Sequence, residues 1–117
     1  MLFICYPKCS TCAKAKKYLE DKGINYDFRD IKIENPTADE IALWLKVSGL
    51  DVKKFFNTSG LLYKNLHLKD KLPLMEEKEK IQLLSTDGML VKRPLLIDQG
   101  KVLVGFAKAE WDDYFGA

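Results

Sequence analysis

Met1-Leu2-Phe3-Ile4-Cys5-Tyr6-Pro7-Lys8-Cys9-Ser10-Thr11-Cys12 is the stretch whose reading decides the fold. Its first six residues have the composition of an apolar strand that ends at Pro7, and Ala13 to Lys22 beyond it reads as a helix with Ala15, Tyr18 and Leu19 on one face. Cys9 therefore falls at or just before a helix N-terminus. Unpaired backbone N–H groups and the positive end of the helix dipole there favour a thiolate, and Lys8 adds positive charge. Cys12 lies one helical turn below, near enough to attack a sulfur adduct on Cys9 and too deep to meet substrate first. The spacing and its strand-to-helix context predict a redox pair in which Cys9 attacks and Cys12 resolves.

Other uses of these cysteines are less well served. Structural zinc needs four ligands, and beyond the pair only Cys5 and a lone His67 are on offer, so no metal site is expected. A purely structural disulfide is disfavoured in a chain that can build its own core and has no signal peptide. Cys5 alternates inward on its strand and reads as a small buried hydrophobe. His67, between Leu66 and Leu68 in a helical stretch, reads as a surface or half-buried histidine.

With 117 residues, 47% hydrophobic and 31% charged, the chain fits one domain over 1–117 and has no room for a second. A net charge of +2 is too small to argue for nucleic acid or an anionic membrane. Lysines and glutamates such as Lys53-Lys54 and Lys78-Glu79-Lys80 read as solvated faces. No apolar run approaches membrane-spanning length, so the expected location is the cytoplasm, where the glutathione and thioredoxin pools let a C-x-x-C pair cycle. No bound cofactor is implied, and a monomer is expected.

Further along, Gly23 stops the first helix and Tyr26 to Ile31 alternates as a half-buried strand, a strand-helix-strand unit that implies parallel pairing. Thr37-Ala38-Asp39-Glu40 is a capping box ahead of Ile41, Trp44, Leu45 and Val47, and Gly49 closes that helix. Short helices follow over Val52 to Asn57, about Leu61 to Leu66, and Leu74 to Leu84, so the whole stretch from about 36 to 90 reads as helical. Pro94 to Ile97 and Val102 to Val104 are strands joined by a hairpin containing Gly100, and a helix over Lys108 to Phe115 covers the sheet with Trp111 and Tyr114. Trp44 and Trp111 belong to the core.

The predicted class is α/β and thioredoxin-like: a four-stranded mixed sheet with an all-helical insertion between strands two and three. Arg93-Pro94 supports it, because in that fold a cis-proline opens the third strand beside the active cysteine and holds an extended substrate against it.

Over nearly its whole length the chain resembles the family of glutaredoxin-coupled arsenate reductases and Spx regulators. Tyr6-Pro7-Lys8-Cys9-Ser10-Thr11-Cys12-Ala13-Lys14-Ala15 is similar to the family's P-x-C-x-x-C-x-K-A loop, and Phe56-Asn57-Thr58-Ser59-Gly60 to its middle motif. Lys92-Arg93-Pro94-Leu95-Leu96-Ile97-Asp98 is similar to its R-R-P-I-I-I-D segment, and Val104-Gly105-Phe106 to its V-G-F close. The resemblance implies that Cys9 is the nucleophile and that Arg93 holds an oxyanion or thiolate beside it, a task suited to a guanidinium that stays charged and donates in pairs. Lys8, Ser10, Thr11, Asn57 and Pro94 complete the expected substrate-binding set, Ser10 and Thr11 as an anion cradle at the helix start.

Two departures bear on function. Where arsenate reductases of this branch carry three arginines, the middle one is Asn57 here and the third falls at or near Gly105, which leaves Arg93. Each charged hydrogen bond contributes roughly 1.5–3 kcal/mol, so arsenate should bind less tightly. Single-cysteine reductases of this branch resolve their adduct with glutathione, whereas Cys12 permits an internal disulfide. The resemblance thus implies either a thiol-disulfide oxidoreductase of arsenate-reductase type, acting on an oxyanion or oxidised thiol and recharged by glutathione with glutaredoxin or by thioredoxin, or an Spx-like redox regulator contacting the RNA polymerase alpha subunit. Leu45 to Val52, at the end of the first inserted helix, lies about where that regulator makes its contact.

Overall fold

The computed structural model describes residues 1–116. Strand β1 (Leu2–Cys5) leads into helix α1 (Ser10–Asp21), and β2 (Asp27–Asp30) into the insertion, which holds α2 (Ala38–Ser48), α3 (Leu61–Asn65), α4 (Leu68–Lys71) and α5 (Glu77–Leu84). The chain then returns through β3 (Leu95–Asp98) and β4 (Lys101–Val104) to α6 (Lys108–Phe115). The sheet order is β2-β1-β3-β4, with β1 parallel to β2 and antiparallel to β3, and β3 antiparallel to β4. This is the thioredoxin-like mixed sheet expected, with its helical insertion between the second and third strands.

Strand alternation sorts the core into two layers. Phe3 and Cys5 of β1, Leu96 of β3 and Leu103 of β4 face Cys12, Ala15, Tyr18 and Leu19 of α1 and Trp111 of α6. Ile4, Leu95 and Val102 face the other way, against Ile41, Trp44 and Leu45 of α2 and against Phe55, Phe56, Leu84 and Leu90. Trp111 is fully buried, and its indole N–H donates to the Gly105 carbonyl at 3.1 Å, so the large ring is enclosed without an orphaned donor.

Local signals act as read at several boundaries. Thr37 Oγ1 accepts from the Glu40 N–H at 3.1 Å while the Glu40 carboxylate accepts from the Thr37 N–H at 3.0 Å, the reciprocal capping box. Gly49 (φ 67°) closes α2 in the left-handed region.

Other boundaries depart from the sequence reading. The helix expected over Leu74 to Leu84 divides into a 3-10 turn at Leu72–Leu74 and α5, because Glu76 caps α5 in a capping box with Glu79. The stretch around His67 breaks as well: His67 adopts φ 54° and starts the short α4 instead of lying within a helix. Strand β2 is shorter than predicted and lies at the sheet edge, where it pairs only with β1; Phe28 is 49% exposed there.

What places the site is the pairing of β1 with β3. Ile4 stands opposite Leu95 in an antiparallel register, so the residues following Ile4 and those preceding Leu95 meet at one end of the sheet. That is the end from which α1 starts. The Arg93–Pro94 peptide is cis, as expected there, and the Arg93 guanidinium lies 5.7 Å from the Tyr6 ring centroid.

Candidate active site

Cys9 is the N-cap residue of α1, with φ −88° and ψ 127°, and its side chain caps nothing. A turn fixes it: its N–H donates to the Tyr6 carbonyl at 2.9 Å, and its carbonyl accepts from the Ala13 N–H at 3.1 Å. The first turn of α1 holds no acidic residue, so the positive end of the helix is uncompensated beside the sulfur. Burial alone pushes the Cys9 thiol up. The backbone N–H groups of Cys12 and Thr11 and the guanidinium of Arg93 together outweigh it, so the thiol sits below its ordinary pKa.

The opposite wall comes from the insertion. Asn57 donates its N–H to the Leu90 carbonyl at 2.8 Å, Lys92 donates to the Phe55 carbonyl at 2.7 Å, and Phe56 bridges to Val91. Those contacts stitch 55–57 against 90–92 and carry Asn57 to the side of Arg93. A cavity of about 350 Å³ results, lined by Cys9, Thr11, Asn57, Ser59, Gly60, Lys92, Arg93 and Phe106. Arg93 Nε and Nη1 are buried there without a protein partner. Buried donors of this kind carry a large desolvation cost, which an anion in the cavity would offset. Gly60 packs closely on Asn57: a Cβ on it would lie 2.7 Å from Asn57 Nδ2 and would displace that amide.

Of the residues singled out from the sequence, Cys9, Thr11, Asn57 and Arg93 thus converge on one cavity. Pro94 is buried beside it and accepts the Gly105 N–H at 2.8 Å. Lys8 and Ser10 are exposed and do not line it, and neither does His67.

Cys12 differs from expectation. It is 4% exposed and bonded to Cys5, with a Cα–Cα separation of 5.9 Å, while Cys9 remains free. The reading of Cys5 as a mere core hydrophobe is corrected by this pairing. Cys5 ends β1 facing α1, and the first turn of α1 returns directly over it, so its sulfur meets that of Cys12. The Tyr6 N–H donates to Cys12 Sγ at 3.3 Å. Cys5 and Cys12 line a different cavity, about 460 Å³, walled by Phe3, Tyr26 and Phe28.

Lys92 is the residue that sequence reasoning passed over. It stood inside a quoted motif without a role, yet it lines the Cys9 cavity as a second cation. Its aliphatic stem crosses Gly105, where an added Cβ would lie 3.0 Å from Lys92 Cε and where φ is 78°. The available signal was adjacency to Arg93 in a site short of arginines. Among the described residues no group of three or more His, Cys, Asp or Glu side chains is placed to hold a metal, and no helix is long and apolar enough to cross a membrane.

The chain matches known proteins over nearly its whole length. The ArsC family model matches residues 5–114. The uncharacterized protein YusI of Bacillus subtilis is 48% identical over 113 residues, covering 97% of this chain and 96% of its own. The crystal structure of a "possible arsenate reductase" from Streptococcus mutans UA159 superposes with a TM-score of 0.85 at 50% identity, over 95% of this chain and 96% of that one. The global transcriptional regulator Spx of Staphylococcus saprophyticus is 33% identical over 105 residues, covering 89% of this chain and 78% of the regulator.

Proposed function

Because the chain belongs to the ArsC family, we propose that it is a thiol-disulfide oxidoreductase of arsenate-reductase type in which Cys9 is the nucleophile. The observation that carries this reading is the pairing, in one cavity, of a free thiol held below its ordinary pKa with a guanidinium whose Nε and Nη1 have no protein partner. A substrate that bears an oxyanion meets donors from Arg93, Lys92, Asn57 and Thr11, and places its electrophilic centre over the sulfur. With arsenate, the Cys9 thiolate bonds to arsenic and one oxygen leaves as water. With its bond to Cys5 reduced beforehand, Cys12 then attacks the Cys9 sulfur, and arsenite departs with the electron pair of the broken arsenic–sulfur bond. Two thiols become one disulfide, which balances the two-electron reduction. With an oxidised thiol, Cys9 takes one sulfur of the disulfide and releases the other. Glutathione with glutaredoxin, or thioredoxin, returns the electrons.

Turnover of arsenate, a glutathionylated peptide and a small disulfide by wild type and Cys9→Ser tests the proposal. Turnover of at least one substrate, abolished in Cys9→Ser, is expected. No turnover of any of them would remove the enzymatic reading.

A second reading has its own support. Leu43 is 58% exposed and Val47 41% exposed, one turn apart on α2, and Leu50 beyond the helix is 40% exposed. Val47 and Leu50 of this apolar strip fall within Leu45 to Val52, about where the resemblance to Spx implies the contact with the RNA polymerase alpha subunit, and a redox regulator needs such a surface. Retention of purified alpha subunit by wild type and its loss in Val47→Glu would favour the regulator.

A further inference from the structure

We propose that Cys5 is a third redox thiol, to which oxidation received at Cys9 is passed through Cys12, so that the stored disulfide is Cys5–Cys12 and Cys9 is left free to react again. The inference rests on the thiol-exchange reading of Cys9 given above. Three observations carry it. Accessibility falls in the order of the relay: Cys9 is partly exposed in its cavity, Cys12 is 4% exposed and Cys5 is 0% exposed. Cys12 occupies the central position, bonded to Cys5 across the strand-helix junction and three residues from Cys9, which puts Cys9 and Cys12 on neighbouring positions of one helical turn. The Tyr6 N–H points at Cys12 Sγ, a donor for the sulfur that must act first as nucleophile and then as the sulfur under attack.

The steps balance for a charged small disulfide of the glutathione type, R–S–S–R. The Cys9 thiolate bonds to one sulfur, and RS⁻ leaves and takes a proton. Cys12 loses its proton and attacks Cys9 Sγ, which forms the Cys9–Cys12 bond and expels the second RS⁻. Cys5 then loses its proton and attacks Cys12 Sγ, and Cys9 leaves as the thiolate it was at the start. The sum is R–S–S–R plus two thiols, Cys5 and Cys12, giving two RSH and the Cys5–Cys12 disulfide. Reduction runs the same path backwards. Cys9 attacks Cys12, Cys5 regains its proton, and an external thiol cleaves the Cys9–Cys12 bond at the accessible sulfur. The cavity beside the inner pair is lined mostly by apolar and aromatic groups, among them Phe3, Tyr26 and Phe28, with Lys16 as its one cation, whereas Arg93 and Lys92 both line the Cys9 cavity. Charged disulfides enter by way of Cys9 because it is the accessible sulfur, Cys12 and Cys5 being 4% and 0% exposed.

Trypsin makes the states distinguishable. Cleavage after Lys8 and Lys14 puts Cys5 on one peptide and both Cys9 and Cys12 on another, so an inward-passed disulfide joins two peptides whereas a Cys9–Cys12 bond stays within one. The reduced full-length protein is treated with one equivalent of glutathione disulfide, alkylated with iodoacetamide and mapped by mass spectrometry without reduction. The joined pair with alkylated Cys9 is expected for wild type. In Cys5→Ala, Cys9 alkylation is lost, because its sulfur remains bonded to Cys12 or to glutathione. In Cys9→Ser, formation of the joined pair slows by at least about tenfold, because the accessible sulfur that admits the reagent is gone. Should Cys5→Ala fail to fold, Cys9→Ser alone decides. Wild type that consumes glutathione disulfide yet keeps Cys5 as a free thiol would overturn the relay and leave the oxidoreductase reading intact, whereas an unchanged rate in Cys9→Ser would overturn the relay together with the role of Cys9 as nucleophile. A Cys9 inert to glutathione disulfide would overturn both.

Discussion

Replacing Asn57 by arginine adds a second guanidinium to the cavity that already holds Cys9 and Arg93. The site should accept it. The backbone at 57 is pinned by the N–H donated to Leu90, and the side chain lost is an amide whose one hydrogen bond, from Ser59 Oγ at 3.2 Å, is solvent-exposed. Losing that bond costs no more than about 1 kcal/mol. A new charged hydrogen bond to an arsenate oxygen contributes roughly 1.5–3 kcal/mol, equivalent to about 10- to 150-fold in kcat/KM. Lys92 already lines the same cavity, and a third cation adds repulsion in the free protein, so the lower end, about tenfold, is the expected gain. Initial rates of arsenite formation, measured against arsenate concentration with glutathione and glutaredoxin present, give the value. An uncharged small disulfide serves as the control and should change less than about threefold, since it has no oxyanion to hold. An equal gain on both substrates, or none on arsenate, would refute the assignment of this cavity as an oxyanion site short of cations.

Other consequences follow from the same geometry. Arg93→Gln keeps a hydrogen-bond donor on a shorter side chain but removes the charge, so the Cys9 titration should move upward and its alkylation at neutral pH should slow; a pH series of alkylation rates reads this directly. Glu40 is held at about 2, chiefly by its paired hydrogen bonds to Arg29 at 2.6 and 2.8 Å. A depressed carboxyl contributes stability above its unfolded pKa and loses it as pH falls towards the folded value. Glu40→Gln should therefore cost roughly 1–2 kcal/mol in urea denaturation at pH 7 after allowance for solvent screening, with the gap to wild type closing as the pH is lowered from about 4.5 towards 2. Gly88 packs against the Ile31 carbonyl oxygen so closely that a Cβ would collide with backbone, and Gly88→Ala should lose about 2–4 kcal/mol by the same assay.

Much of this fold is legible in local patterns. The alternation of β1 and β3, the Thr37–Glu40 capping box, the glycine stop at 49 and the hairpin glycine at 100 are short-range effects, and the strand-helix-strand start leaves few topologies open. The run from Leu61 to Leu84 resists such reading because its apolar residues are spaced too irregularly for one helical face, and the conformation of His67 depends on the turn it makes between α3 and α4. Within the site, Cys9, Asn57 and Arg93 could be named because each sits in a motif that marks its chemistry. Cys5 and Lys92 could not be assigned roles in that way. The partner of Cys5 depends on how α1 returns over the end of β1, and the direction of Lys92 depends on the bridge between Phe56 and Val91 and on the bare surface of Gly105. Both are long-range consequences of packing with no spacing rule to announce them.

The central claim is that Cys9 is the reactive thiolate, and the rate of its alkylation against pH tests it most directly. Fully reduced protein is given a limiting pulse of iodoacetamide across a pH series, digested and mapped sulfur by sulfur. The account predicts that Cys9 is modified first and that its rate reaches half its maximum at a pH below that of an ordinary thiol, because the helix N–H groups and Arg93 outweigh its burial. Modification of Cys12 or Cys5 ahead of Cys9, or a Cys9 that titrates at or above an ordinary thiol, would contradict it.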